Sequence, residues 1–128
     1  MTGELFWLSD EQWERIKAYV PADGRGSRRM DDRRVISAVV HVLKSGCRWS
    51  ECPEAYGSPT AIYNRFARWA RRGIWDTIFR ELAGEDQAEL QRLIEANRVE
   101  ARRRSRRLAA RIEGANRRSA YSQLLRDE

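Results

Sequence analysis

The 128-residue chain carries 25 lysine and arginine residues against 19 acidic residues, which gives a net charge of +6 and a sequence pI near 10.0. This length fits one domain with a helical extension, and the basic excess favours a polyanionic partner. Apolar residues make up 41% of the chain, which excludes a wholly disordered protein. The apolar runs are too short for a membrane span of about 20 residues, so we expect a cytoplasmic protein without a membrane partner.

The first predicted helix begins after Ser9. Ser9 and Gln12 have the spacing of a capping box, in which each side chain accepts a hydrogen bond from the other residue's backbone N–H. Leu8 and Trp13 flank the cap as a hydrophobic staple does. We expect this helix to end at Pro21, because proline has no backbone N–H and interrupts the helical ladder.

A polar, glycine-containing segment follows at residues 22–30, and we predict a flexible loop. Its Arg28 and Arg29 are candidates for contacts with a DNA phosphate backbone or a minor groove. The alternative is a solvated linker with no partner, and the sequence leaves both open.

The second predicted helix runs from Asp31 or Asp32 to Ser45. Its apolar residues recur at the spacing of one buried helix face; they are Val35, Ile36, Val39, Val40 and Leu43. Gly46 is suited to the position just after the helix, where a left-handed backbone is common.

The next segment predicts a helix-turn-helix, with a short helix at residues 50–56 and a turn at Gly57 and Ser58. Pro59 then fits the first position of a helix that we expect to continue over residues 60–72. A last helix at residues 75–82 would close the core. The fold we predict is therefore all-α, a small helical bundle that contains a helix-turn-helix and is followed by a C-terminal helical extension.

In a helix-turn-helix, the start of the second helix meets base edges and later arginines meet phosphates. The candidate DNA-binding residues here are Ser58, Thr60, Ala61, Asn64, Arg65, Arg68 and Arg71. An amide such as that of Asn64 pairs with adenine, and methyl groups contact thymine. The alternative is an ordinary amphipathic surface helix whose basic face is only solvated.

Catalytic and metal-binding residues are not expected. Cys47, Cys52 and His41 are the only cysteines and histidine, and three scattered ligands do not complete a structural zinc site. No nucleophile–base pair is visible either. We therefore expect neither a cofactor nor a small-molecule substrate.

Residues 84–128 differ in composition from residues 1–83, and we place a domain boundary between them. The second part has a single aromatic residue, no proline and seven arginines between Arg98 and Arg111. It predicts an arginine-rich tail that is helical or partly disordered. Phosphate binding, dimerisation and no partner at all remain alternatives for it.

Four stretches resemble the N-terminal domain of the insertion sequence 5 family of bacterial transposases. They read FWLSDEQWERI at 6–16, DDRRVIS at 31–37, LKSGCRW at 43–49 and YNRFARWARRGIWDTIF at 63–79. The resemblance covers about residues 5–83. It implies a helical domain that binds the terminal inverted repeats of a mobile element, with the helix at 59–72 as the recognition helix.

The family's ribonuclease-H-like domain, with its Asp-Asp-Glu triad, should begin near residue 90, and the 45 residues after Ala83 do not resemble it. We therefore expect a DNA-binding protein that is not an enzyme, either a first-frame or a truncated transposase product. Double-stranded DNA at the element ends would be its partner, with full-length transposase or a second copy as further partners. The alternative is a helical interaction or dimerisation protein, or a repressor derived from a transposase.

Overall fold

Helices make up all the regular secondary structure of the residues that the computed structural model describes, which are 4–21 and 28–126, with side chains at 4–21 and 32–125. The predicted all-α class is confirmed. The helices are α1 (Asp10–Ile16), α2 (Arg28–Ser45), α3 (Pro59–Arg71), α4 (Trp75–Ala83) and α5 (Gln87–Arg126). Contacts divide the chain into two units, Met1–Ala96 and Asn97–Glu128.

The start of α1 has the predicted capping box. The hydroxyl of Ser9 accepts from the N–H of Gln12 at 3.1 Å, and the side chain of Gln12 accepts from the N–H of Ser9 at 2.9 Å. The helix is shorter than predicted, because it tightens into a 3-10 turn at Lys17–Tyr19. Val20 is already extended, since the residue before a proline is disfavoured in the helical region.

The central helix of the first unit is α2. Buried side chains occupy every position from Val35 to Val40, and Val42 is buried as well. Other elements pack against α2 on more than one side, so its buried residues cover more of the helix surface than a single apolar stripe would. The helix begins at Arg28, before the predicted start, so the prediction of a loop is wrong for residues 28–30; residues 22–27 lie outside the described part.

The predicted short helix at residues 50–56 is wrong. The structure has two 3-10 turns instead, Trp49–Glu51 and Glu54–Tyr56. Pro53 separates them: it has no N–H to donate, and it holds Cys52 in a non-helical conformation with ψ of 129°. Thirteen residues, 46–58, therefore join α2 to α3, where a compact helix-turn-helix has a turn of three or four.

Aromatic side chains build the core between α3 and α4. Trp69 and Trp75 lie with ring centroids 5.6 Å apart, and Phe66 lies 5.4 Å from Trp75. The indole N–H of Trp75 donates to the carbonyl of Phe66 at 3.0 Å. This bond satisfies a polar group inside the core and fixes α4 against α3.

The first turns of α5 belong to the first unit. Leu93 is 1% exposed, and Leu90 packs against the same core. Glu89 forms an ion pair with Lys44 of α2 at 2.9 Å. Compact packing thus extends to Ala96, beyond the boundary that composition predicts after residue 83.

The second unit consists, in its described residues, of the rest of α5, which stays helical to Arg126. Its large apolar side chains Leu108 and Ile112 are 58% and 53% exposed. Despite the length of α5, none of the helices described combines the length and the apolarity that a membrane span requires.

Candidate nucleic-acid interface

The start of α3 is fixed by three consecutive residues. Gly57 has φ of +104°, a conformation that side-chain-bearing residues rarely adopt. Ser58 is the N-cap, and its hydroxyl accepts from the N–H of Ala61 at 3.4 Å. Pro59 occupies the first helical position, where its missing N–H costs no hydrogen bond. The predicted start of the helix at Pro59 is confirmed.

One side of α3 is held in the core. Ile62, Phe66 and Trp69 are buried, and Trp49 packs against the helix with its ring centroid 4.8 Å from that of Phe66 and 5.4 Å from that of Tyr63. This packing sets the rotation of α3 about its axis. The opposite side is therefore presented to solvent in one orientation.

The solvent side of α3 brings together most of the predicted site residues. Five of them are exposed on α3: Thr60, Ala61, Asn64, Arg68 and Arg71. Because successive residues of an α-helix are rotated by about 100°, these five positions fall within about 100° of the helix circumference. We call this set the α3 face. Its N-terminal half is uncharged and polar, and its C-terminal half is cationic.

The α3 face lies in a stretch without negative charge. No acidic residue occurs between Glu54 and Asp76, whereas four arginines do. Arg72, which caps the C-terminus of α3, is exposed beside the face. The exposed arginines make the C-terminal half of this face locally cationic, and a cationic surface attracts polyanions.

Arg65 is placed differently from the other predicted residues. Its guanidinium pairs with the carboxylate of Asp32 on α2, and the two side chains are only 16% and 10% exposed. It also lies 5.4 Å from the ring centroid of Trp69. Arg65 therefore holds α3 on α2 and does not project from the α3 face.

Sequence reasoning missed Asp32 as the partner of Arg65. The sequence pattern placed Asp32 only at the predicted start of the second helix, where an acidic residue is stabilised by the helix dipole and needs no other partner. Arg48, which is exposed in the turn that packs on α3, was also not among the candidates. One indication of its position was available in the sequence, because Arg48 directly precedes Trp49, an aromatic residue that packs against the core.

Arg28 and Arg29 lie in the first turn of α2, and their side chains fall outside the described residues. Their predicted contact with phosphate stays a prediction.

Cys52 is buried in the segment that leads into α3. Cys52 is 4% exposed, and burial, together with the nearby Cys47, raises its pKa to about 11. The thiol is thus protonated at neutral pH, which makes it a poor nucleophile and a poor metal ligand. No group of three or more histidine, cysteine, aspartate or glutamate side chains in the described part of the chain is arranged to hold a metal ion.

Comparison with known proteins gives a family match over most of the first unit. Residues 8–79 match the family described as "Putative transposase of IS4/5 family". The match includes α1 to α3 and ends within α4, so α5 lies outside it.

Two known proteins are similar to the chain in sequence, and the second belongs to an insertion element. The "Uncharacterized protein y4sN" of Sinorhizobium fredii (strain NBRC 101917 / NGR234) is 37% identical over 84 residues, which are 64% of this chain and 67% of that protein. The "Insertion element IS402 uncharacterized 16.2 kDa protein" of Burkholderia cepacia is 25% identical over 79 residues, 56% of this chain and 54% of that protein. No solved structure matches the chain significantly.

Proposed function

The chain belongs to the family of IS4/5 transposases, and from this premise we propose that it binds the terminal inverted repeats of a mobile DNA element through the α3 face. One observation carries the proposal. The α3 face joins exposed hydrogen-bonding and methyl groups to exposed arginines on a helix whose other side is buried. Major-groove recognition by a helix requires this arrangement. We expect the protein to act in the bacterial cytoplasm.

Each residue of the α3 face has a role in this proposal. The amide of Asn64 forms two hydrogen bonds with an adenine edge, and the methyl groups of Thr60 and Ala61 contact thymine methyl groups. Arg68 and Arg71 lie further along the helix and bind phosphates, which fix the register on the duplex. Ser58 begins the helix and Arg65 orients it.

We assign recognition, and not strand transfer, to the described residues. Two-metal phosphoryl transfer needs carboxylates that converge from several elements, and the described residues offer no such group. In this proposal the catalytic triad comes from full-length transposase or from a separate chain. A protein that occupies the element ends without cutting them would also repress transposition by competition.

Binding to the terminal inverted repeat, measured by fluorescence anisotropy against a scrambled duplex at two salt concentrations, tests the proposal. We expect a preference for the repeat that survives at the higher salt. Asn64→Ala should lose about 1–3 kcal/mol on the repeat alone, because it removes a base contact. Arg68→Ala should weaken binding to both duplexes equally, because it removes a phosphate contact.

Arg80→Ala is the matched control, since Arg80 is an exposed arginine on α4 outside the α3 face. Circular dichroism establishes that all variants are folded. Equal binding of the unmodified protein to both duplexes at both salt concentrations would contradict sequence-specific recognition.

A second candidate function is self-association through α5. It is favoured by Leu108 and Ile112, which are exposed one helical turn apart. Light scattering on the whole chain distinguishes it: a dimer that Leu108→Glu converts to a monomer supports self-association, and a monomer throughout excludes it.

A further inference from the structure

The net positive charge of the chain lies entirely in the second unit. Met1–Ala96 contains 15 basic and 15 acidic residues, so its net charge is zero. Asn97–Glu128 contains 10 basic and 4 acidic residues and supplies the whole +6. The attraction to a polyanion that the composition indicates therefore cannot be assigned to the first unit, although the α3 face is locally basic.

Within the second unit the charge is concentrated on one segment of α5, residues 98–118, which we call the arginine segment. It has nine arginines and two glutamates. At about 1.5 Å per residue it is about 30 Å long, so it presents one arginine roughly every 3.4 Å. The arginines cover about 240° of the helix circumference, counted at about 100° per residue.

The two glutamates are too few to balance this charge. Glu100 approaches Arg103 and Arg107 at 4.0 Å each, and Glu113 approaches Arg117 at 3.7 Å. The three arginine side chains in these pairs are half or more exposed, so their guanidinium groups stay accessible from solvent. Nine guanidinium groups and two carboxylates give the segment a net charge of +7.

The chemistry of the segment fits a phosphate backbone better than a membrane surface. A helix that lies on a membrane needs a broad apolar face, and the large apolar side chains here are only Val99, Leu108 and Ile112. Duplex DNA carries about one negative charge per 1.7 Å along its axis, a density that the arginines can engage along the whole segment. Guanidinium groups also bind phosphate in bidentate geometry.

We propose that the arginine segment is a second DNA-binding element, which binds duplex phosphates without sequence preference. The proposal rests on the DNA-binding function argued above and divides that function between two parts of the chain. The α3 face selects the sequence, and the arginine segment supplies most of the salt-dependent affinity. The segment lies outside residues 8–79, the part of the chain that matches the family.

Neutralising three arginines in the full chain tests this division. Arg98, Arg106 and Arg111 are exposed, and glutamine keeps a similar helix propensity. The matched control replaces Lys17, Arg80 and Arg92 with glutamine, which lowers the net charge by the same amount on exposed positions of the first unit. Affinity for the inverted repeat and for a scrambled duplex is measured from low to moderate salt.

We expect the R98Q/R106Q/R111Q variant to bind both duplexes more weakly by the same factor. The slope of log affinity against log salt should fall by about 0.9 for each phosphate that is no longer neutralised, up to about 2.7. The control variant should keep the original slope. Replacing the same three arginines with lysine should restore most of the slope, because the charge returns.

An unchanged slope, or an equal fall in the control, would overturn the proposal, as would tighter binding of the protein to anionic phospholipid vesicles than to scrambled duplex. These outcomes are separable from failure of the α3 proposal. If the protein does not prefer the inverted repeat but its salt slope falls in the R98Q/R106Q/R111Q variant, only the role of the α3 face is wrong. If the protein prefers the inverted repeat but its salt slope is unchanged in that variant, only the role of the arginine segment is wrong.

Discussion

The ion pair between Asp32 and Arg65 joins the two helices on which the proposed recognition surface depends. Both side chains are nearly buried, so neither charge is well solvated if its partner is lost. The pair therefore matters for stability through the charge that its loss would leave behind, and less through the attraction itself. Removing one member should also loosen α3 against α2.

Asp32→Asn should lower the free energy of unfolding by about 3 kcal/mol, because it leaves the Arg65 guanidinium buried without a counter-charge. Urea denaturation measures this loss. The control is Asp10→Asn, which breaks the 2.9 Å pair of Arg33 with an aspartate whose side chain is 93% exposed. That change should cost less than about 1 kcal/mol. Similar losses in both variants would show that the Asp32 pair is no more important than a surface pair.

At the scale of residues, helical periodicity correctly placed the exposed side of α3, because the alternation of aromatic and polar residues is strong there. It could not place Arg65. A long side chain at the edge of the apolar face can extend into solvent or fold back, and the choice depends on a partner in another helix. Asp32 lies 33 positions earlier in the chain, so local pattern contains no information about the pair.

Among the elements, α3 has a side-chain cap at its start, which can be removed without changing its buried face. Ser58→Ala removes the hydroxyl that accepts from Ala61 and should cost about 1 kcal/mol in urea denaturation. Ser58→Asn and Ser58→Asp should both keep the cap. DNA affinity should separate them: we expect the asparagine variant to bind nearly as well as the original, and the aspartate variant to bind worse, because its charge repels phosphate.

Equal DNA affinity for the asparagine and aspartate variants would show that the start of α3 lies away from the DNA. The stability measurement would remain valid in that case, since it concerns the helix alone.

The elements that the sequence predicted well have explicit ends. Ser9 with Gln12 defines α1, Gly46 ends α2, and Ser58 with Pro59 begins α3, each through a local hydrogen bond or backbone preference. The segment between α2 and α3 lacked such a signal. The predicted helix required Pro53 to lie within a helical turn. Pro53 has no backbone N–H to donate, and it keeps the preceding Cys52 out of the helical region, so the segment forms two separate 3-10 turns instead.

For the whole molecule, composition and packing give different boundaries. Aromatic residues become rare after residue 83, which predicts a boundary there, whereas contacts place it after Ala96. The difference arises because Leu90 and Leu93 pack in the core of the first unit and so place the start of α5 there. A composition average over 45 residues does not reveal two core positions.

Two truncated chains distinguish the boundaries. A chain that ends at residue 96 should unfold cooperatively, with a Tm within a few degrees of the full protein. A chain that ends at residue 86 loses the burial of Leu90 and Leu93, about 3 kcal/mol by typical values for buried leucines. For a domain of this size, that loss lowers Tm by about 10–20 °C. Thermal denaturation followed by circular dichroism measures both; equal Tm values would favour the boundary after residue 83.

The balanced charge of Met1–Ala96 also has a consequence for solubility. Proteins associate and precipitate most readily when their net charge is near zero, and the first unit meets this condition at neutral pH. The six net positive charges of Asn97–Glu128 keep the whole chain away from its isoelectric point. The same arginines that we propose to bind DNA thus keep the free protein dispersed, and a chain that has lost them is expected to be soluble only at low concentration.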